Sequence, residues 1–258
     1  MTATLYANRD KREAVEALEA VRREATAHGI EIADDGEIVI ALGGDGTILR
    51  AVREFKDAVV LGLNFGNLGY LSSVAAGEFK RALADLAAGR YRVSERRLVA
   101  VDGRTALNDV VVSRDGGCRS ALFDLEADGK LVTRYMADGL VFSTPTGSTA
   151  YSLAAGGPVV MPDVASLVVT PLSPHALGVR PLVTRDDVRF RVTVRARTKD
   201  DDLTVGVYAD GEKVCSLKSG ESVEIAAADV CAKLVELEGY NPYEVLARKL
   251  GWSGSSCK

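Results

Sequence analysis

Residues 38–42, Ile-Val-Ile-Ala-Leu, form an unbroken apolar run that stops at Gly43-Gly44-Asp45-Gly46. A strand that is apolar at every position must be covered on both faces, which is the requirement of a parallel sheet flanked by helices. The residues after the glycines, Ile48, Leu49, Val52 and Phe55, return at helical spacing. Upstream, Thr4 to Ala7 reads as a short strand. Asp10 with Glu13 reads as a helix start, followed by Ala14, Leu18, Val21 and Ala25 until Gly29. A further apolar run at Val59 to Leu63 precedes an Ala/Leu-rich helix around Glu78 to Ala88. This alternation predicts a Rossmann-like open α/β sheet.

Beyond about residue 96 the texture changes to short β-branched or alternating runs: Ala106 to Ser113, Leu122 to Leu125, Leu131 to Tyr135, Leu140 to Ser143, Val188 to Val194 and Leu203 to Tyr208. One short helix, near Ser148 to Ala155, interrupts them. The segment Pro242 to Leu250 again has helical spacing. The expected fold is therefore α/β plus all-β. A Rossmann-like domain over residues 1–96 is followed by a β-rich, sandwich-like domain over 97–239, and residues 240–258 return as a helix to the first domain.

With 258 residues, 47% of them hydrophobic, such a chain builds an ordinary core without a metal or disulfide staple. Its formal net charge of −4, with both signs interspersed, argues against nucleic acid or an acidic membrane as partner. Cys118, Cys215, Cys231 and Cys257 have neither CxxC spacing nor histidine neighbours, so no zinc site is expected, and scattered thiols fit the cytoplasm. The first residues offer no apolar run of signal-peptide length, and no stretch approaches a membrane span. His28 suits the end of the first helix. His175 lies in a proline-rich loop.

Consecutive glycines between a buried strand and a helix let backbone N–H groups approach phosphate, and the helix start favours anions. The segment Gly43, Gly44, Asp45, Gly46, Thr47 is thus a phosphate loop by mechanism. It is not a Walker loop, because no lysine follows the glycines; the nearest cation in sequence is Arg50. The chain holds seven Asp-Gly pairs, at 35, 45, 102, 115, 128, 138 and 210, and most are turns. Those at 128 and 210 lie between strand runs, as hairpin tips do, whereas Asp45 lies between strand and helix. Residues 143–152 carry seven hydroxyl side chains: Ser143, Thr144, Thr146, Ser148, Thr149, Tyr151 and Ser152. On spacing alone they fit a capped polar loop and a nucleotide site equally, the latter with Tyr151 stacked on a ring. A serine hydrolase is disfavoured, since GxSxG is absent and only His175 is placed to serve as base.

Taken in order, Gly43-Gly44-Asp45-Gly46-Thr47, Asn64-Phe65-Gly66-Asn67-Leu68-Gly69-Tyr70-Leu71, Asn108-Asp109 and Asp138-Gly139 through Tyr151 resemble the NAD kinases. Pro174-His175 and Arg180-Pro181 match a further family segment. The resemblance covers roughly residues 38–215. It implies transfer of a phosphoryl group from ATP or polyphosphate to the 2′-hydroxyl of the adenosine ribose of NAD, giving NADP, with the dinucleotide between the two domains. By the same resemblance Asp45 is the catalytic base. Asn108 and Asp109 hold the adenosine moiety and Asp138 the nicotinamide end. Gly46, Thr146, Thr149, Ala150, Tyr151, Ser152 and Ala154 line the nucleotide site; Arg50, Arg119 and Asp210 lie near the ligand. It further implies Mg²⁺ or another divalent cation entering with the donor, and a homo-oligomer.

Two positions depart from the family pattern. Many members carry Glu where this chain has Asp109, and a basic residue where it has Met136. A lipid kinase would share the GGDGT-type loop but not Gly66-Asn67-Leu68-Gly69, and a non-catalytic NAD-binding regulator would have no use for Asp45. The identity of the donor and the acceptance of NADH are open at this level, because a glycine cradle reads phosphates and not bases.

Overall fold

The computed structural model describes residues 1–65, 69–71, 74–115, 120–198 and 203–252. The chain divides into two units, residues 1–95 with 232–258, and residues 96–231. In the first unit, β1 (Thr2–Ala7), α1 (Arg12–Ala27), β2 (Glu31–Ile32), β3 (Ile38–Gly43), α2 (Asp45–Glu54), β4 (Val59–Asn64), β5 (Val74–Ala75) and α3 (Phe79–Ala87) follow in order. The second contains β6 (Tyr91–Val101, entered from the first unit), β7 (Arg104–Ala106), β8 (Asp109–Arg114), β9 (Ala121–Ala127), β10 (Lys130–Ala137), β11 (Gly139–Ser143) and α4 (Tyr151–Ala154). It continues through β12 (Ser166–Leu172), β13 (Leu182–Arg185), β14 (Phe190–Arg195), β15 (Thr204–Ala209) and β16 (Glu212–Lys218). The chain leaves it along β17 (Ser222–Leu237) and ends in α5 (Pro242–Leu250).

The first unit is a parallel sheet in the order β2-β1-β3-β4, extended by the last part of β17, whose Lys233 and Leu234 pair with Val59 and Val60. Its alternating residues go to two different cores. Ile38, Ile40 and Leu42 pack with Ala14, Val21 and Ala25 of α1 and with Leu83 and Leu86 of α3. Val39 and Ala41 pack with Ile48 and Ala51 of α2. Helices therefore cover both faces, as the unbroken apolar run of β3 demands. The return to this unit begins within β17, at residue 232, where the sequence placed it at residue 240 in a helix. The shift arises because the end of β17 adds a strand to the sheet before α5 begins. The helix start expected at Asp10 is also displaced: α1 begins at Arg12 with Lys11 as N-cap and no side-chain cap, while the Asp10 N–H is taken by Asn8 Oδ1 at 3.1 Å.

The second unit is a sandwich. One antiparallel sheet runs β10-β9-β14 and then the first part of β17; the other runs β13-β12-β11-β8-β15-β16. Phe123, Leu125, Phe190, Val192 and Ile225 from the first sheet meet Val110, Val112, Leu140, Phe142, Leu167, Val169, Val205 and Val207 from the second. Burying a side chain of this kind is worth about 1.5–3 kcal/mol relative to exposure. The Asp128-Gly129 and Asp210-Gly211 pairs are hairpin tips, with both residues of each at positive φ. The single helix expected from Ser148 to Ala155 is instead a 3₁₀ turn, Thr146–Thr149, and then α4. Ala150 breaks them apart at φ −100°, ψ −126°.

Candidate functional site

In the first unit the chain reverses direction across the sheet between β1 and β3. The β1–α1 connection leads outward to β2 on one side, and the β3–α2 connection leads to β4 on the other. Open α/β sheets bind ligands at the carboxyl ends of their strands at such a switch point. The Gly43–Thr47 loop lies there. Gly43, at φ +158°, runs close over Thr47, whose Oγ1 would stand 2.1 Å from a methyl group built on Gly43.

Asp45 opens α2, and its carboxylate is gripped by the segment after β4. Tyr70 donates its backbone N–H to Oδ2 at 2.8 Å and Leu71 its own to Oδ1 at 3.2 Å. Gly69 lies so close that a methyl group on it would sit 1.7 Å from Oδ1. The Tyr70 ring is covered by the Lys249 ammonium of α5, 5.8 Å from its centroid. Burial, and next the charge of Asp45, push the Tyr70 phenol above its ordinary range. The two backbone N–H groups orient the Asp45 carboxylate.

Arg50 lies along α2 from the glycines. Its charge, like that of Arg53, bears on Tyr6, whose hydroxyl is raised by burial first and then by its hydrogen bond to Glu54.

In the second unit three segments lock together. Asp210 accepts the backbone N–H groups of Leu107 at 2.7 Å, Asn108 at 2.8 Å and Asp109 at 3.3 Å, and its own N–H returns to Asp109 O at 3.0 Å. Thr144 donates its hydroxyl to Leu107 O at 2.6 Å and accepts the Gly147 N–H at 3.0 Å. A methyl group on Gly147 would meet Asn108 O at 1.9 Å, so this glycine is required by close approach of two backbones. Asp109 begins β8, three residues later than the strand start expected at Ala106, and is only 6% exposed. Burial, and secondarily the charge of Asp210, push its carboxyl up to about 7.

This geometry divides the hydroxyl-rich segment into inward and outward side chains. Ser152 is fully buried and its hydroxyl bonds Thr170 Oγ1 at 2.8 Å, so its side chain joins α4 to β12. Ser143, Thr144 and Ser148 are likewise fully buried, with Ser148 donating to Pro145 O and accepting the Val160 N–H. Most of the hydroxyl-rich segment is therefore internal scaffolding. What it presents outward is Thr149 and Ala150, both half-buried, with Ala154 exposed and Tyr151 47% exposed. Thr146 is buried and supplies its carbonyl to the Thr149 hydroxyl.

Asp138 is exposed, at the opposite end of β11 from Ser143, which pairs with Asp109. Five residues of antiparallel strand amount to about 17 Å, so Asp138 stands apart from the Asn108-Asp109 cluster, as the separate roles expected of them at the nicotinamide and adenosine ends require. Asp210 is a hairpin tip turned onto its own chain. Arg119 lies outside the described residues.

The profile of the ATP-NAD kinase N-terminal domain matches residues 2–91, and that of the ATP-NAD kinase C-terminal domain matches residues 107–237. The NAD kinase of Gemmatimonas aurantiaca is 44% identical over 233 residues, 85% of this chain and 79% of that one. The NAD kinase of Syntrophotalea carbinolica is 37% identical over 227 residues, 84% and 78% of the two chains. The chain belongs to the NAD kinase family. The fold agrees. An NAD kinase from Archaeoglobus fulgidus in complex with ATP superposes with a TM-score of 0.83 at 23% identity, covering 98% of this chain and 100% of that one. Yeast NADH kinase complexed with NADH gives 0.85 at 23% identity, covering 100% and 89%.

As an NAD kinase it is a phosphotransferase with an alcohol acceptor, converting NAD to NADP at the 2′-hydroxyl of the adenosine ribose. The grip on Asp45 was not legible as such in the sequence, where Gly69-Tyr70-Leu71 stood only as part of a resemblance. In this kinase a Gly69→Ala substitution is expected to displace Asp45 without altering any reacting group. It should lower kcat roughly ten- to hundredfold, since misplacement by about 1 Å costs that much. Turnover equal to the parent's would show that the clamp does not matter.

Proposed function

We propose that the Gly43–Thr47 loop carries the donor's phosphates and that Asp45 is the general base of the NAD kinase reaction. The observation that carries this reading is the Asp45 carboxylate, held by two backbone N–H groups at the switch point of the sheet. Asp45 takes the proton of the ribose 2′-hydroxyl while that oxygen forms its bond to the terminal phosphorus of the donor. The bridging P–O bond breaks, and the shortened donor leaves with the electron pair. In the second unit Asn108 and Asp109 hold the adenosine ribose, and Thr149, Ala150 and Tyr151 border the nucleotide. The ligands of the two structural neighbours, ATP and NADH, support both halves of this reading. Kinetics of Asp45→Asn test it.

Among the described residues no three His, Cys, Asp or Glu side chains converge as a metal cage. The residues present fit a Mg²⁺ bound chiefly by substrate phosphates, as Mg²⁺ commonly is. When bound it supplies charge screening on the donor oxygens. In this reading a chelator abolishes activity and leaves the melting temperature of the free protein unchanged, which thermal unfolding with and without chelator measures. A marked drop in melting temperature would mean a structural metal. The donor is ATP or polyphosphate, and a donor panel in the NADP assay separates them. The family resemblance supports a homo-oligomer, testable by sedimentation. A cytoplasmic setting is supported by the free thiols of Cys215 and Cys231. Among the described residues no helix is long and apolar enough to cross a membrane.

A further inference from the structure

We propose that Lys11 is the cation of the donor-phosphate site, its ammonium contacting the phosphates that rest on Gly43 to Thr47. The inference rests on the reading that the donor occupies this loop, and it supplies what the loop lacks, a lysine after the glycines.

Lys11 comes from a different connection. β1 lies beside β3, with Ala7 paired to Leu42, and the Asn8 N–H continues the ladder onto Leu42 O at 3.0 Å. The Lys11 N–H then closes a turn onto Asn8 O at 3.0 Å. This turn brings the β1–α1 connection alongside the β3–α2 connection, so that a methyl group on Gly44 would stand 3.3 Å from Lys11 Nζ. The two connections are the two sides of the switch point, where the ligand crevice of an open α/β sheet lies.

Local preference does not explain a lysine here. It is the N-cap of α1, a position that favours Ser, Thr, Asp or Asn, and its side chain makes no capping bond. A cation at a helix N-terminus also opposes the helix dipole. Lys11 is half-buried, and among the described residues it forms no ion pair with a carboxylate. A residue that breaks the local rules without a partner inside the fold is best explained by a partner outside it. That partner is an anion at the loop, and the ammonium acts through charge and hydrogen bonds alone.

Steady-state kinetics with Mg-ATP and NAD varied, on the full chain, provide the test. Lys11→Gln is expected to lower kcat/KM for ATP roughly ten- to hundredfold, the usual worth of a hydrogen bond to a charged group, with KM for NAD unchanged. Lys11→Arg should recover most of the loss. Gly46→Val serves as the control for the loop itself, because a Cβ built on Gly46 meets nothing within 4 Å among the described residues. If Gly46→Val weakens ATP use and Lys11→Gln does not, the Lys11 assignment is overturned while the loop reading stands. If neither variant affects ATP, the loop reading fails, and this proposal with it. An equal loss toward ATP and NAD, with a lowered melting temperature, would make Lys11 a structural residue and would also overturn the assignment.

Discussion

Replacing Asp45 by Asn is expected to reduce kcat by roughly 10² to 10⁴, the usual contribution of a general base. The substitution removes the group that accepts the hydroxyl proton. It also places an amide NH₂ where one of two backbone N–H groups now finds an acceptor, at Tyr70 or Leu71. The second effect loosens the clamp, so the loss should lie toward the upper part of that range. The asparagine stays at the first position of α2 and is nearly isosteric with the carboxylate, so the melting temperature and NAD affinity should change little. Turnover within about threefold of the parent would exclude Asp45 as the base.

Asp109 carries the second large effect, and its direction with pH follows from burial. Its carboxyl is raised from 3.8 to about 7, first by desolvation and then by the charge of Asp210. The folded state therefore holds the proton more tightly than the unfolded chain. Stability falls as pH rises from about 4 to about 7 and is level above that. An Asp109→Asn variant should lose this slope, which melting temperatures measured across that range would reveal.

NAD acts in the opposite sense. A ribose diol donating to the carboxyl favours its ionised form, so kcat/KM for NAD should climb as pH rises through about 7. Asp109→Ala should lower kcat/KM for NAD about a hundredfold through misorientation of the ribose, with donor KM nearly constant. An unchanged kcat/KM for NAD in that variant would sink the assignment.

Asp210 limits how these experiments are read, because its carboxylate holds the backbone of Leu107, Asn108 and Asp109 at once. A substitution there disturbs the whole segment and says nothing about direct contact with NAD. Asp109 is the cleaner probe, since among the described residues nothing hydrogen-bonds its carboxyl, so its removal leaves no protein group newly unpaired.

The first domain was legible from the sequence because its signals are local. The apolar run 38–42, the glycines after it and the helical spacing beyond require only neighbours along the chain, and Asp45 stands out among the Asp-Gly pairs by its place between strand and helix. Hairpin tips at Asp128 and Asp210 are legible for the same reason.

Other features exist only once distant segments meet. β12 carries Pro171, and β17 is rich in Ala and charged residues; both read poorly as strands and are made so by their pairing partners. The hydroxyls of residues 143–152 cannot be divided by spacing into those turned inward and those turned outward. Packing against residues 107–108 and against Thr170 makes that division. The grip of Tyr70 and Leu71 on Asp45, the hold of Asp210 on residues 107–109 and the approach of Lys11 to Gly44 are set by sheet order and strand register. Periodicity specifies which face of an element is buried and is silent on which elements become neighbours, so these contacts were decided by the tertiary structure alone.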